Sequence, residues 1–155
     1  MSKYFLDKLK ECIVVFDIDG VLAAYEFGDF CHTTPEWGPE QFVSIEDNPY
    51  TNIPPLPVLQ EYISSMPREN VYVCSVANEE ERECKTDFVT RNYEINKENI
   101  IFVDKKDKKF DALMDLKKKY PDMEIALVDD TVKTLDNIWL KDSSIRTIHV
   151  STFFC

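Results

Sequence analysis

CIVVFDIDGVLA, residues 12–23, runs five mostly apolar residues straight into two aspartates and a glycine. A short Val- and Ile-rich run bounded by polar turn residues reads as a β-strand buried on both faces. Side chains two positions apart on a strand point the same way. A strand that carries on through Asp17 and Asp19 therefore sets two carboxylates side by side. Such a pair stays ionised only with a cation between or beside it. The stretch is either a surface turn, where Asp and Gly are ordinary residues, or a metal site at a strand's carboxyl end.

Four more short apolar runs follow: VYVCSV (71–76), IIFV (100–103), EIALV (124–128) and RTIHVSTF (146–153). Between them lie helical patterns over 55–66, 78–93, 108–120 and 131–142, with a short one at 2–10. Residues 55–66 open with prolines, which suit a helix start. Residues 78–93 open with acidic side chains that match the helix dipole. Strand and helix alternate, which predicts one α/β domain over 1–155 with a parallel sheet flanked by helices. Residues 24–54 fit no element, and a segment this long is usually functional or disordered. Its aromatic content argues against disorder, so it reads as an insertion after the first strand. Its aromatic residues (Tyr25, Phe27, Phe30, Trp37, Phe42 and Tyr50) either stack a base or pack the segment onto its own core.

The formal net charge of −11, from 29 acidic and 18 basic residues, argues against tight non-specific binding to duplex nucleic acid. An acidic chain still binds phosphate locally through a metal ion or a few placed lysines. The five cysteines (Cys12, Cys31, Cys74, Cys84 and Cys155) form no CxxC pair, and two of them fall in apolar strands. The opening MSKYFLDKLKEC has no apolar core of a signal peptide, and no run is long enough to span a bilayer. A reduced, cytoplasmic protein with no membrane partner is the expectation. His32 and His149 carry no partner signal in the sequence.

Parallel α/β sheets bind ligands at the carboxyl ends of their strands. The first strand ends in Asp17, Asp19 and Gly20, and the second near Ser75. The third is followed by Lys105, Lys106, Lys108 and Lys109, and the fourth ends in Asp129 and Asp130. Two acidic pairs, a hydroxyl and a lysine are the parts needed to hold a divalent metal and a phosphoryl group.

FDIDGVL, Ser75, a lysine at 105–109 and LVDD, in that order, resemble the four motifs of the haloacid dehalogenase superfamily, most of whose members are phosphatases. The resemblance runs from Cys12 to about Phe153. It implies a Rossmann-like sheet with a short flap or minimal cap after strand one, at about 24–54. It also implies a Mg²⁺-dependent phosphomonoesterase. Asp17 would be the nucleophile that forms an aspartyl-phosphate, and Asp19 the general acid and then base. Ser75 and a lysine would hold the phosphoryl group. Lys109, at the start of its helix, is favoured over Lys108, Lys106 and Lys105. Asp17, Asp19 through its backbone carbonyl, Asp129 and Asp130 would hold the Mg²⁺. A receiver domain orders these parts differently, dehalogenases usually lack the second aspartate, and a mutase generally needs a larger cap. DIDGVLA also resembles deoxyribonucleotidases, and VDDT the small-capped nucleotide and polynucleotide-end phosphatases. The expected substrate is thus a phosphorylated small molecule, a nucleotide or a phosphorylated nucleic-acid end. A sugar-phosphate or phosphoprotein phosphatase, or a catalytically idle phosphate-binding or scaffold protein on the same fold, is the alternative.

Overall fold

Strand β1 (Ile13–Phe16) is buried along its whole length and has a parallel neighbour on each side. The computed structural model describes residues 2–23 and 44–155. In it β2 (Val71–Val76), β3 (Ile100–Val103), β4 (Ile125–Asp129) and β5 (Arg146–His149) complete one parallel sheet of order β3-β2-β1-β4-β5. The helices are α1 (Ser2–Leu9), α2 (Pro57–Ser64), α3 (Glu79–Tyr93), α4 (Lys108–Lys119) and α5 (Val132–Lys141). This is the α/β parallel sheet that the alternating pattern predicts, in a Rossmann-like arrangement. No helix among the described residues is long and apolar enough to cross a membrane.

Alternation along β1 divides the core. Ile13 and Val15 face Ala112, Leu113 and Leu116 of α4 and Leu135 and Ile138 of α5. Val14 and Phe16 face the opposite cluster, which includes Leu59 and Ile63 of α2 and Phe88 and Val89 of α3. The chain winds outward from β1 through β2 to β3, then crosses back to β4 on the other flank of β1. That reversal opens a crevice at the carboxyl ends of β1 and β4, where sheets of this kind place ligands. Asp17 immediately follows β1, and Asp129 is the last residue of β4.

The final strand is shorter than the predicted 146–153. It stops at His149, whose Nδ1 accepts from the Ser151 amide (3.2 Å), and Val150–Phe154 wind into a 3₁₀ turn. The turn swings Phe153 into the core, 6.2 Å from the Phe16 ring and 5.0 Å from that of Tyr62. Of the expected insertion, residues 24–43 lie outside the described residues, and with them Tyr25, Phe27, Phe30, Trp37, Phe42 and His32. Its end is a capped turn at Pro49–Thr51, where Asn48 Oδ1 accepts from the Tyr50 amide (2.9 Å). Tyr50 packs inward on Phe88, with ring centroids 5.8 Å apart. It therefore belongs to the core and offers no face to a base.

Phe16 is fully buried at the point where β1, α2 and the terminal turn meet. Phe16→Ala is expected to lower the unfolding free energy by about 3–5 kcal/mol, read from urea midpoints at unchanged slope.

Candidate functional site

The turn after β1 shapes the site first. The carbonyl of Ile18 accepts from the amides of Val21 (3.1 Å), Leu22 (2.9 Å) and Ala23 (2.9 Å), so the chain folds back at once. Gly20 lies within that turn at φ +76°, a conformation that L side chains rarely adopt. A Cβ on Gly20 would stand 2.3 Å from Asp130 Oδ2. Glycine here meets both demands, the left-handed backbone and the close approach of the β4 loop.

Asp17, Asp129 and Asp130 each bring a carboxylate oxygen into one group, all within 4.8 Å of one another. Lys109, in the first turn of α4 and almost wholly buried, reaches Asp17 Oδ2 at 2.9 Å and Asp129 Oδ2 at 2.8 Å. The other oxygen of Asp17 and of Asp129, and one oxygen of Asp130, are also engaged. Asp17 Oδ1 accepts from the Ile18 amide (2.8 Å), and Asp129 Oδ1 from the Thr131 amide (2.8 Å). The Thr131 hydroxyl donates to Asp130 Oδ1 at 3.2 Å. Lys108 instead pairs with Asp111 on the surface, so of these two lysines Lys109 is the one the fold turns inward.

Burial pushes the Asp17 carboxyl up to about 6, and the charges of Asp129 and Asp19 add to this against the pull of Lys109. Burial alone draws the Lys109 ammonium down. The carboxylates of Asp17 and Asp129 outweigh it and hold the group above its ordinary value. Three carboxylates less one ammonium leave two negative charges, which matches a divalent cation. An all-oxygen donor set of this kind could hold a hard divalent cation.

Ser75 lies in β2, beside β1, and is 1% exposed. Its Oγ is buried and has no hydrogen-bond partner among the described residues. Buried hydroxyls are normally paired, which makes this one the exception on β2.

Asp19 takes a different course. Its carboxylate is not among the three that converge. Lys85 Nζ donates to Oδ2 at 2.8 Å, and the Tyr50 hydroxyl donates to Oδ1. The metal contact expected of Asp19 runs through its backbone carbonyl, which these side-chain bonds leave unaffected. The sequence offers Tyr50 only as a base-stacking or core aromatic, not as a partner of Asp19, and gives Lys85 no site role. The available sign was that Lys85 lies three and four positions before the buried Phe88 and Val89, in phase with the apolar face of α3. His149 likewise carries no partner signal in the sequence. Its Nε2 lies 3.1 Å from the backbone oxygen of Asp130, and its Nδ1 accepts from Ser151, so the ring braces the β4 loop from behind.

No family model matches the chain, and neither does any curated protein. Among solved structures the chain is similar to DsGPDH of Dunaliella salina, at 20% identity and a TM-score of 0.53. The match covers 87% of this chain and 23% of that one, so the chain spans under a quarter of its neighbour's length. At this identity the likeness concerns the fold alone.

A carboxyl whose pKa is raised on folding destabilises the native state once it ionises. Below its ordinary value of 3.8 Asp17 is protonated in both states, and the penalty is complete above about 6. The metal-free protein should therefore lose melting temperature between these limits through Asp17, and the Asp17→Asn variant should lack that component. Millimolar Mg²⁺ should raise the melting temperature more at pH 7 than at pH 5. Absence of any Mg²⁺-dependent shift at either pH would overturn the metal-site assignment.

Proposed function

We propose that this chain is a Mg²⁺-dependent phosphomonoesterase of the haloacid dehalogenase type, working through an aspartyl-phosphate on Asp17. The observation that carries the reading is the buried Lys109 ammonium, bonded to both Asp17 and Asp129 at the sheet's switch point. A lysine in that place holds Asp17 as an anion ready to attack and screens its charge from an incoming phosphoryl group. Bound Mg²⁺ would supply Lewis-acid stabilisation of the charge on the phosphoryl oxygens.

The residues divide the work in two half-reactions. Asp17 attacks phosphorus, the bond from phosphorus to the leaving oxygen breaks, and Asp19 gives that oxygen its proton. In the second half Asp19 takes a proton from water as the water oxygen attacks phosphorus. The bond from Asp17 to phosphorus then breaks and inorganic phosphate leaves. The unpartnered Ser75 hydroxyl donates to a phosphoryl oxygen, and Lys109 neutralises charge on Asp17 and the transferring group. Asp129 and Asp130, with Asp17 and the Asp19 carbonyl, would hold the metal.

The substrate class is a phosphorylated small molecule or nucleotide, with a phosphorylated nucleic-acid end as its largest form. The net charge of −11 disfavours a grip on long duplexes. Cys12, Cys74, Cys84 and Cys155 are free thiols, which fits a reducing compartment such as the cytoplasm.

Purified protein with Mg²⁺ should hydrolyse an aryl phosphate, and Asp17→Asn should abolish both turnover and the covalent phosphoenzyme. Ser75→Ala should lower kcat by about 10²–10³-fold. Its melting temperature should hardly change, because the lost hydroxyl has no partner among the described residues. No turnover by the wild type across phosphorylated metabolites and nucleotides, or a phosphoenzyme that survives in Asp17→Asn, would reject the reading.

A further inference from the structure

Lys85 is a lysine at a core position. It is 3% exposed, on the face of α3 that also buries Cys84, Phe88 and Val89. An ammonium has three donors, and three acceptors surround this one. They are Asp19 Oδ2 at 2.8 Å, the backbone oxygen of Val76 at 2.7 Å and Glu81 Oε2 at 3.5 Å. Val76 is the residue after Ser75, so one side chain ties the end of β2 to the turn that carries Asp19. Glu81 is itself fixed, since its Oε2 accepts from the Asn78 amide at the head of α3 (3.2 Å). From the other side the Tyr50 hydroxyl donates to Asp19 Oδ1. Tyr50 is 2% exposed, and its ring packs on Phe88 and lies 5.9 Å from Lys85 Nζ. A hydrophobic role alone does not explain a buried ammonium, because desolvating one costs several kcal/mol unless it is paired and hydrogen-bonded.

We propose that Lys85 and Tyr50 are positioning residues for Asp19, each fixing one oxygen of its carboxyl group. The proposal rests on the phosphatase reading. Asp19 stands on a turn, two residues beyond the nucleophile, and must serve two atoms in succession: the leaving oxygen and then the attacking water. A proton donor or acceptor displaced by about 1 Å can lose about 10²-fold in rate. Lys85 does not touch the substrate itself, being buried and bonded to Asp19 and the Val76 carbonyl with Glu81 paired beside it. Its effect passes through Asp19.

The two halves of the reaction lean on Asp19 unequally, and this gives the test. A nitrophenolate leaves without help, whereas an alkoxide needs the proton. Every aspartyl-phosphate needs the base, whatever its origin. Lys85→Met and Tyr50→Phe should each be assayed with Mg²⁺ on a series running from nitrophenyl through phenyl to alkyl phosphates. Lys85→Met should lose about 10²-fold or more in kcat/KM on the alkyl phosphate. On nitrophenyl phosphate the loss should be far smaller, so the dependence on leaving-group basicity steepens. With nitrophenyl phosphate, intact-mass spectra of acid-quenched samples should show phosphoenzyme accumulating in the variants beyond the wild-type level. Tyr50→Phe keeps its ring against Phe88 and removes only the hydroxyl, so it should show the same pattern in milder form even if Lys85→Met folds poorly. An equal loss across the series in a folded variant, without phosphoenzyme build-up, would overturn the positioning role and leave the phosphatase standing. A wild type that neither turns over nor becomes phosphorylated would reject both.

Discussion

The Lys109 ammonium is what lets Asp17 and Asp129 lie side by side in a buried setting. Removing one partner of a buried ion pair leaves an uncompensated charge and typically costs about 3–5 kcal/mol. The three groups therefore fix one another's places. Lys109 also sits in the first turn of α4, the end of a helix where a cation is least welcome. Its position is carried by the carboxylates against the helix dipole. This one contact joins the end of β1, the end of β4 and the head of α4, and the crevice takes its shape from that junction. What it leaves unbalanced is the net negative charge of Asp17, Asp129 and Asp130, and that residue of charge is the physical case for a divalent cation.

Much of this was legible because it is local. Buried strands that end in acids announce both the sheet and the edge at which the acids collect, and the order of the runs places them at one switch point. Lys109 is favoured among four neighbouring lysines because it opens its helix three positions before Ala112, and the fold agrees: Ala112, Leu113 and Leu116 are buried on the same helix. Lys108, one position out of phase, goes to solvent and finds Asp111. The same phase rule applies to Lys85 in α3. There the helix is so rich in charge that its apolar stripe is faint, and one more lysine reads as part of a solvated face.

What the sequence did not disclose depends on contacts across long stretches of chain. Tyr50 meets Asp19 from 31 residues away, at the far end of a segment that has no regular pattern. His149 braces Asp130 only because β5 pairs with β4 and brings the two to the same level of the sheet. The early end of β5 has the same origin. Nothing in RTIHVSTF is unlike a strand, but Phe153 gains more from the core beside Phe16 and Tyr62 than from staying on an edge strand. Propensity yields there to packing.

The two aspartates of FDIDG thus avoid the conflict that their spacing suggests. Were the strand to run on, Asp17 and Asp19 would share one face and one cation. It ends at Phe16 instead, and the tight turn on the Ile18 carbonyl leads Asp19 towards α3 while Asp17 stays over α4. Each aspartate then has a buried lysine of its own, Lys109 for Asp17 and Lys85 for Asp19. Asp17 still feels its neighbour, since the charge of Asp19 is among those that push its carboxyl up. Yet the two sit in different surroundings, one enclosed with two further carboxylates, the other at the rim between an ammonium and a phenol. Chemistry that needs one carboxylate to attack and another to carry protons requires such unlike environments for like groups. Gly20 keeps them apart, because its left-handed turn is where the chain changes direction and its missing Cβ makes room for Asp130.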